Sequence, residues 1–281
     1  MNALEIKNVS KSFSGFSLDN LSLTLPSGCI MGLIGENGAG KSTTIKLILD
    51  ILHKDSGSIT VLGRDNGKDI SLIKEDIGVV MDEVGIPECL TVKQVGKIMK
   101  HTFCNWNEAE YMRLLEKLDL PDKKLFKDFS RGMKMKLGIA IAMSHGAKLL
   151  LLDEPTSGLD PVVRDEVIDI FYDFTRDEDH SILISSHIVS DLERLCDYVA
   201  FLHKGKLMLC EEKDELLSEY GIIYCTVEQL SKLDKNVIKY KKETSYGAEV
   251  IVLRKDAPDG FKLSPISIEE LFVFMVKGGD R

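Results

Sequence analysis

The pattern of residues predicts an α/β fold: a mixed, largely parallel sheet with helices on both faces. Two observations lead there. Short apolar runs of strand length alternate with stretches whose apolar residues recur every three to four positions. One of those runs, Leu149 to Leu152, is aliphatic at every position, as a strand buried on both faces must be.

In chain order, Leu4 to Val9 and Leu18 to Leu25 show near-alternation and read as strands, the second stopped by Pro26-Ser27-Gly28. Cys29 to Ile34 is a short apolar strand that runs into glycines. From Lys41 the period changes, and Ile45, Ile48, Leu49 and Leu52 share one helical face. Asp55 to Ser58 reads as a turn, Ile59 to Leu62 and Ile77 to Met81 as strands. Residues 88 to 146 are mostly helical, with spacing such as Leu114, Leu115 and Leu118. After the strand at Leu149, Asp160-Pro161 opens a helix carrying Val163, Val167, Ile170, Phe171 and Phe174 on one face. Ser181 to Ser185 and Tyr198 to Leu202 are strands around a helix from Ile188 to Leu195. Beyond about residue 216, strand-like runs (Ile222 to Val227, Val237 to Tyr240, Glu249 to Leu253) precede an amphipathic helix from Ser267 to Val276. The expected organisation is a main domain over residues 1–215, with a helical subdomain at about 85–146, and a small α+β appendage over 216–281.

Composition excludes several functions. The net charge is −9, and no basic stripe of the kind used against nucleic acid or lipid is present, so neither partner is expected. The six cysteines form no metal-ligand spacing and read as reduced, mostly buried thiols. Met1 to Lys7 lacks the regions of a signal peptide. No apolar run approaches the roughly 20 residues that span a bilayer, so no membrane crossing is expected.

Two motifs carry chemistry. Gly35-Glu36-Asn37-Gly38-Ala39-Gly40-Lys41-Ser42, followed by Thr43, fits G-x-x-x-x-G-K-[ST] between a strand and a helix. Backbone N–H groups of such a loop converge on phosphates, lysine reaches the β- and γ-phosphates, and the serine hydroxyl sits on Mg²⁺. Asp153 and Glu154 then close the apolar strand at its carboxyl end, where open α/β sheets hold ligands. Asp153 suits a Mg²⁺ shell and Glu154 suits polarising a water.

With these motifs in place, residues 1 to about 212 resemble the ABC (ATP-binding cassette) ATPases. The resemblance implies a P-loop NTPase core of the ABC type that binds ATP and Mg²⁺. Thr156 to Asp160 is similar to the family's D-loop, and His187 after Ser185-Ser186 to its switch histidine at the γ-phosphate. Phe13 matches the aromatic that stacks on adenine, and Phe129-Ser130-Arg131-Gly132-Met133 stands where the family has its signature. The implied catalytic residues are Glu154, His187 and Lys41. The implied nucleotide contacts are Phe13, Gly35 to Thr43, Asp82, Ser130 to Met133 and Asp160, with Ser42, Asp153 and Asp82 at the metal.

Two positions depart from the family pattern. Arg131 stands where the signature has glycine, and Asp82 where the Q-loop has glutamine. Ionised aspartate accepts hydrogen bonds but cannot donate as glutamine does. The Ser-Arg-Gly-Met form and the C-terminal helix resemble bacterial exporter ATPases for drugs, antibiotics and peptides. That branch implies a separate transmembrane permease, a second ATPase subunit (identical or different), and a peripheral position at the cytoplasmic face of the membrane. The competing expectation is a soluble ABC ATPase uncoupled from transport, such as an iron–sulfur cluster assembly ATPase.

Overall fold

The computed structural model describes residues 2–82, 84–244 and 247–278. Three sheets organise them. The first is antiparallel, in the order β2-β1-β4-β5, from β1 (Asn2–Phe13), β2 (Phe16–Pro26), β4 (Ser56–Val61) and β5 (Arg64–Asp65). The turn expected at Asp55 to Ser58 is instead the start of β4, because Ser56 and Ser58 find partners in Ser10 and Lys7 of β1. Gly57, at φ +83°, absorbs the register shift there, and a β-carbon at that position would run into the Asn8 carbonyl.

The second sheet forms the centre. Its order is β10-β9-β3-β8-β7-β6, from β3 (Ile30–Ile34), β6 (Ile77–Val80), β7 (Leu149–Asp153), β8 (Ser181–Ser186), β9 (Tyr198–His203) and β10 (Lys206–Glu212). Every pairing is parallel except β10 with β9. The strands β3, β7 and β8 are buried at every residue. β10 is an edge strand whose side chains are half-buried or exposed, so it carried no pattern that predicted it.

Side-chain alternation splits this sheet between two cores. Met31, Leu33, Leu149, Leu151 and Leu183 point toward the first sheet and toward helix α1 (Lys41–Ile48), which contributes Ile45, Leu47 and Ile48. Ile30, Ile34, Leu150, Leu152, Ile182 and Ile184 point the other way, into helices α5 (Arg131–Met143), α6 (Pro161–Phe174) and α7 (Val189–Leu195). Alternating burial on both faces is what the all-apolar runs required. The short α2 (Ile70–Ile73) leads into β6.

The helical region contains α3 (Val92–Thr102), α4 (Glu108–Lys117) and α5, each opened by a polar cap. Thr91 and Gln94 make a reciprocal capping box, and Asn107 and Ser130 accept from the amides of Glu110 and Met133. Buried Tyr111 ties α4 to α3 through its hydroxyl, which donates to the Val92 carbonyl at 2.9 Å.

After α8 (Lys213–Glu219), a third, antiparallel sheet runs β12-β13-β11-β14, from β11 (Tyr220–Cys225), β12 (Ile238–Thr244), β13 (Gly247–Leu253) and β14 (Leu263–Ser264). Val227, expected at the end of a strand, begins α9 (Val227–Lys232), because Thr226 and Gln229 form a second capping box. The last helix, α10 (Ile268–Gly278), lies against α7 of the central body. Its Phe272 meets Phe201 of β9 edge-on at 5.3 Å, and the Ile268 amide donates to the Glu193 carboxylate. All six cysteines are free thiols; Cys196 and Cys225 are buried, but Cys89 and Cys104 are exposed, contrary to the expectation of a mostly buried set. Among the described residues no helix is long and apolar enough to cross a membrane.

Candidate nucleotide site

The parallel register puts the predicted residues on one edge of the sheet. Val80 of β6 lies beside Leu152 of β7, Leu152 beside Ile184 of β8, and Ile34 of β3 beside Ser186. One or two residues further on, all four strands therefore release Asp82, Asp153-Glu154, His187 and the Gly35 loop at their common carboxyl end.

In the loop, Glu36, Asn37 and Gly38 are exposed while Gly35, Ala39 and Gly40 are buried. Gly40 adopts φ +115° immediately before α1, a conformation closed to residues with a side chain, and so turns the chain sharply into the helix. The first-turn amides of α1, at Lys41, Ser42 and Thr43, have no intrahelical acceptor, and the helix dipole adds partial positive charge there. Lys41 is 6% exposed, and its ammonium folds back over the loop to donate to the Gly35 carbonyl at 2.7 Å. The same nitrogen is 3.2 Å from Glu154 Oε1.

Glu154 sits at φ +53°, an uncommon setting for a residue with a side chain. Its amide holds that setting by donating to the Ser185 carbonyl at 3.0 Å. Its second carboxylate oxygen lies 2.6 Å from His187 Nδ1 and accepts from the His187 amide at 3.3 Å. Lys41, Glu154 and His187, from three different elements, thus form one contiguous group. Backbone strain of this kind concentrates at functional sites because surrounding contacts must enforce it.

Asp153 is 3% exposed, and Ser185 Oγ donates to its Oδ1 at 2.6 Å. Sequence reasoning gave Ser185 no role. The available signal was a serine inside an apolar strand, since a buried hydroxyl needs a partner and β8 pairs Ser185 directly with Asp153.

Phe13 ends β1, is 40% exposed and stacks on Phe16 at 6.2 Å, with the Lys11 ammonium over its ring. Phe16 reaches in turn to Gly40 of the loop, which puts this aromatic pair beside the phosphate cradle. Ser130 caps α5, with Arg131, Gly132 and Met133 in its first turn, and Gly132 lies against Leu159 and Val163. Asp160 caps α6 by accepting from the amides of Val162 and Val163 at 3.1 Å each. The Asp82 carboxylate accepts from Arg131 Nη2 at 2.6 Å.

The donor set at the sheet edge, one buried carboxylate (Asp153) and one hydroxyl in the first turn of α1 (Ser42), fits Mg²⁺ that takes its other ligands from phosphate oxygens and water. It does not resemble an all-protein cage, and among the described residues no cluster of three or more His, Cys, Asp or Glu side chains could hold an ion alone.

Residues 18–157 match the family model described as ABC transporter. A lantibiotic transport ATP-binding protein of Streptococcus pyogenes is 39% identical over 215 residues, covering 75% of this chain and 91% of its own. A bacitracin transport ATP-binding protein of Bacillus licheniformis is 37% identical over 194 residues, covering 68% of this chain and 63% of its own. Among solved structures, an ATP-binding subunit of an ABC transporter superposes with a TM-score of 0.68 at 28% identity, over 76% of this chain and 91% of that one. The chain belongs to the ABC transporter family, as an ATP-binding subunit that hydrolyses ATP.

Proposed function

We propose that this chain is the motor of a bacterial exporter for antibiotics or antimicrobial peptides, bound at the cytoplasmic face of the membrane through a separate permease. The contact among Lys41, Glu154 and His187 at the mouth of the phosphate loop carries the mechanistic part of that reading. The lantibiotic and bacitracin relatives support the substrate class.

In the reaction, Phe13 stacks on adenine, and the backbone from Gly35 to Thr43 wraps the phosphates. Lys41 exchanges the Glu154 carboxylate for the γ-phosphate, since both are anions within its reach. That exchange frees Glu154 to orient a water and accept its proton as the water attacks phosphorus, while His187 holds Glu154 and the transferring group in line. Ser42 and Asp153 would hold Mg²⁺, which would supply positive charge to the phosphates during transfer. Ser130 to Met133 and Asp160 serve a nucleotide bound by a second ATPase subunit packed head to tail. Two ATP molecules then close the pair, and hydrolysis reopens it. Residues 1–215 form the ATPase domain and 216–281 an accessory domain in this reading.

The test is membrane recovery. Expressed with its permease, the chain should sediment with membranes and co-purify with that subunit; without it, the chain should stay in the supernatant. Equal membrane recovery in both cases contradicts the reading.

A further inference from the structure

Both departures from the family pattern bond to each other. Arg131 Nη2 donates to Asp82 Oδ1 at 2.6 Å across 49 residues of sequence, joining the loop after β6 to the first turn of α5. The Arg131 guanidinium also lies on Gly158, so closely that a methyl group there would come within 3.1 Å of its nitrogen. One side chain therefore touches the segments that follow β6 and β7 and begins the helix carrying the signature.

The charge of Arg131 is badly placed without an anion. It occupies the first position of a 13-residue helix, where the macrodipole is already positive, and that first turn holds no acidic residue. Lys134 and Lys136 add cations in the next turn; Lys136 has Glu166 at 2.7 Å, and Lys134 lies over the Phe126 ring. Among the described residues, Asp82 is the carboxylate that answers Arg131. Asp82 lies two residues beyond Val80, which pairs with Leu152 of β7, so the loop carrying it leaves the sheet at the same end as Asp153-Glu154.

We propose that Asp82 and Arg131 are an exchange pair linking the two nucleotide sites of the dimer. Resting on the two-subunit reading above, the pair is closed in the nucleotide-free subunit, and Asp82 stands in for a phosphate at the N-terminus of α5. When ATP draws the subunits together, Arg131 leaves Asp82 for the γ-phosphate held by the facing subunit. Asp82 is released toward the nucleotide of its own chain. Arg131 thus serves one site and Asp82 the other, so filling either site frees a group for its neighbour. A Gln–Gly pair at these positions has no such charge to trade.

The experiment is a double-mutant cycle in a Glu154→Gln background, reading the ATP concentration for half-maximal dimer by light scattering, in the chain with its ATPase partner. Asp82→Asn is made with Arg131 present and again with Arg131→Met, which keeps the side-chain bulk without the charge. The cycle cancels whatever Asp82 does for its own nucleotide and leaves the pair. Exposed charge pairs of this kind contribute modestly, so Asp82→Asn should favour dimer formation about two- to fivefold more when Arg131 is present than when it is methionine. At 1 M salt that ratio should fall toward one. Equal shifts in both backgrounds overturn the exchange while leaving the dimer intact. Absence of any ATP-driven dimer overturns the two-subunit reading and the exchange with it.

Discussion

Replacing Ser185 with alanine removes the donor to Asp153, and with it the hydroxyl that accepts from the Glu154 amide at 3.2 Å, while the Glu154 amide keeps the Ser185 carbonyl and the phosphate loop is unaltered. The bond is short, at 2.6 Å, lies at two fully or nearly fully buried residues, and ends on a carboxylate. A hydrogen bond to a charged group contributes about 1.5–3 kcal/mol, and here its loss leaves Asp153 Oδ1 without that donor in an apolar setting. For a domain of this size each kcal/mol moves the thermal midpoint by roughly 2–4 °C, so a fall of several degrees is expected in the nucleotide-free protein. The functional consequence should exceed the structural one. Groups that orient a metal-binding carboxylate typically cost about 10–100-fold in metal affinity or activity when removed. Measured as ATPase rate against Mg²⁺ at fixed ATP, Ser185→Ala should move the half-saturating Mg²⁺ upward within that range. Binding of ATP in the presence of a chelator should stay close to wild type, because the loop from Gly35 to Thr43 is unaltered. An unchanged Mg²⁺ dependence in a folded Ser185→Ala protein would refute Asp153 as the carboxylate at the metal.

Two further substitutions test neighbouring parts of the structure. Phe13→Ala should weaken ATP binding by roughly 1–3 kcal/mol, the range for a base stacked on an aromatic, while Phe13→Trp retains most of it; fluorescence titration with a labelled nucleotide reads both, and equal affinities would remove Phe13 from the adenine site. Phe272→Ala opens a cavity under α10 and should destabilise by about 3–5 kcal/mol in thermal or urea unfolding. A change below the error of that measurement would mean that α10 does not dock on Phe201.

The site was legible because its chemistry follows strand ends. A lysine after a glycine loop, two acids after an all-apolar strand and a histidine after Ser185-Ser186 are local patterns, and a parallel sheet converts them into neighbours. Contacts between side chains distant in sequence were not legible. Nothing local relates Ser185 to Asp153, Arg131 to Asp82 or Phe272 to Phe201; each pair exists only once strand order and helix docking are known. The same holds for the fold. Buried strands announced themselves by composition, whereas β10 did not, since an edge strand with half-buried side chains needs no apolar pattern. At Val227 a run of β-formers suggested that the strand continues, but the reciprocal Thr226–Gln229 cap turned the chain into a helix.

The central claim is that Glu154 is the base that lets the closed state go. Glu154→Gln keeps the size of the side chain and removes its capacity to take a proton, a loss that typically costs about 10²–10⁴-fold in rate. The amide also gives up the ion pair with Lys41, so ATP no longer competes with a carboxylate for that ammonium. The mutant should bind ATP, turn over poorly and accumulate as the closed dimer. Light scattering with ATP and Mg²⁺ should then show a species of twice the mass, absent with ADP, and formed only on mixing if the second ATPase is a different chain. Hydrolysis by Glu154→Gln at the wild-type rate, with no such species, would contradict the claim.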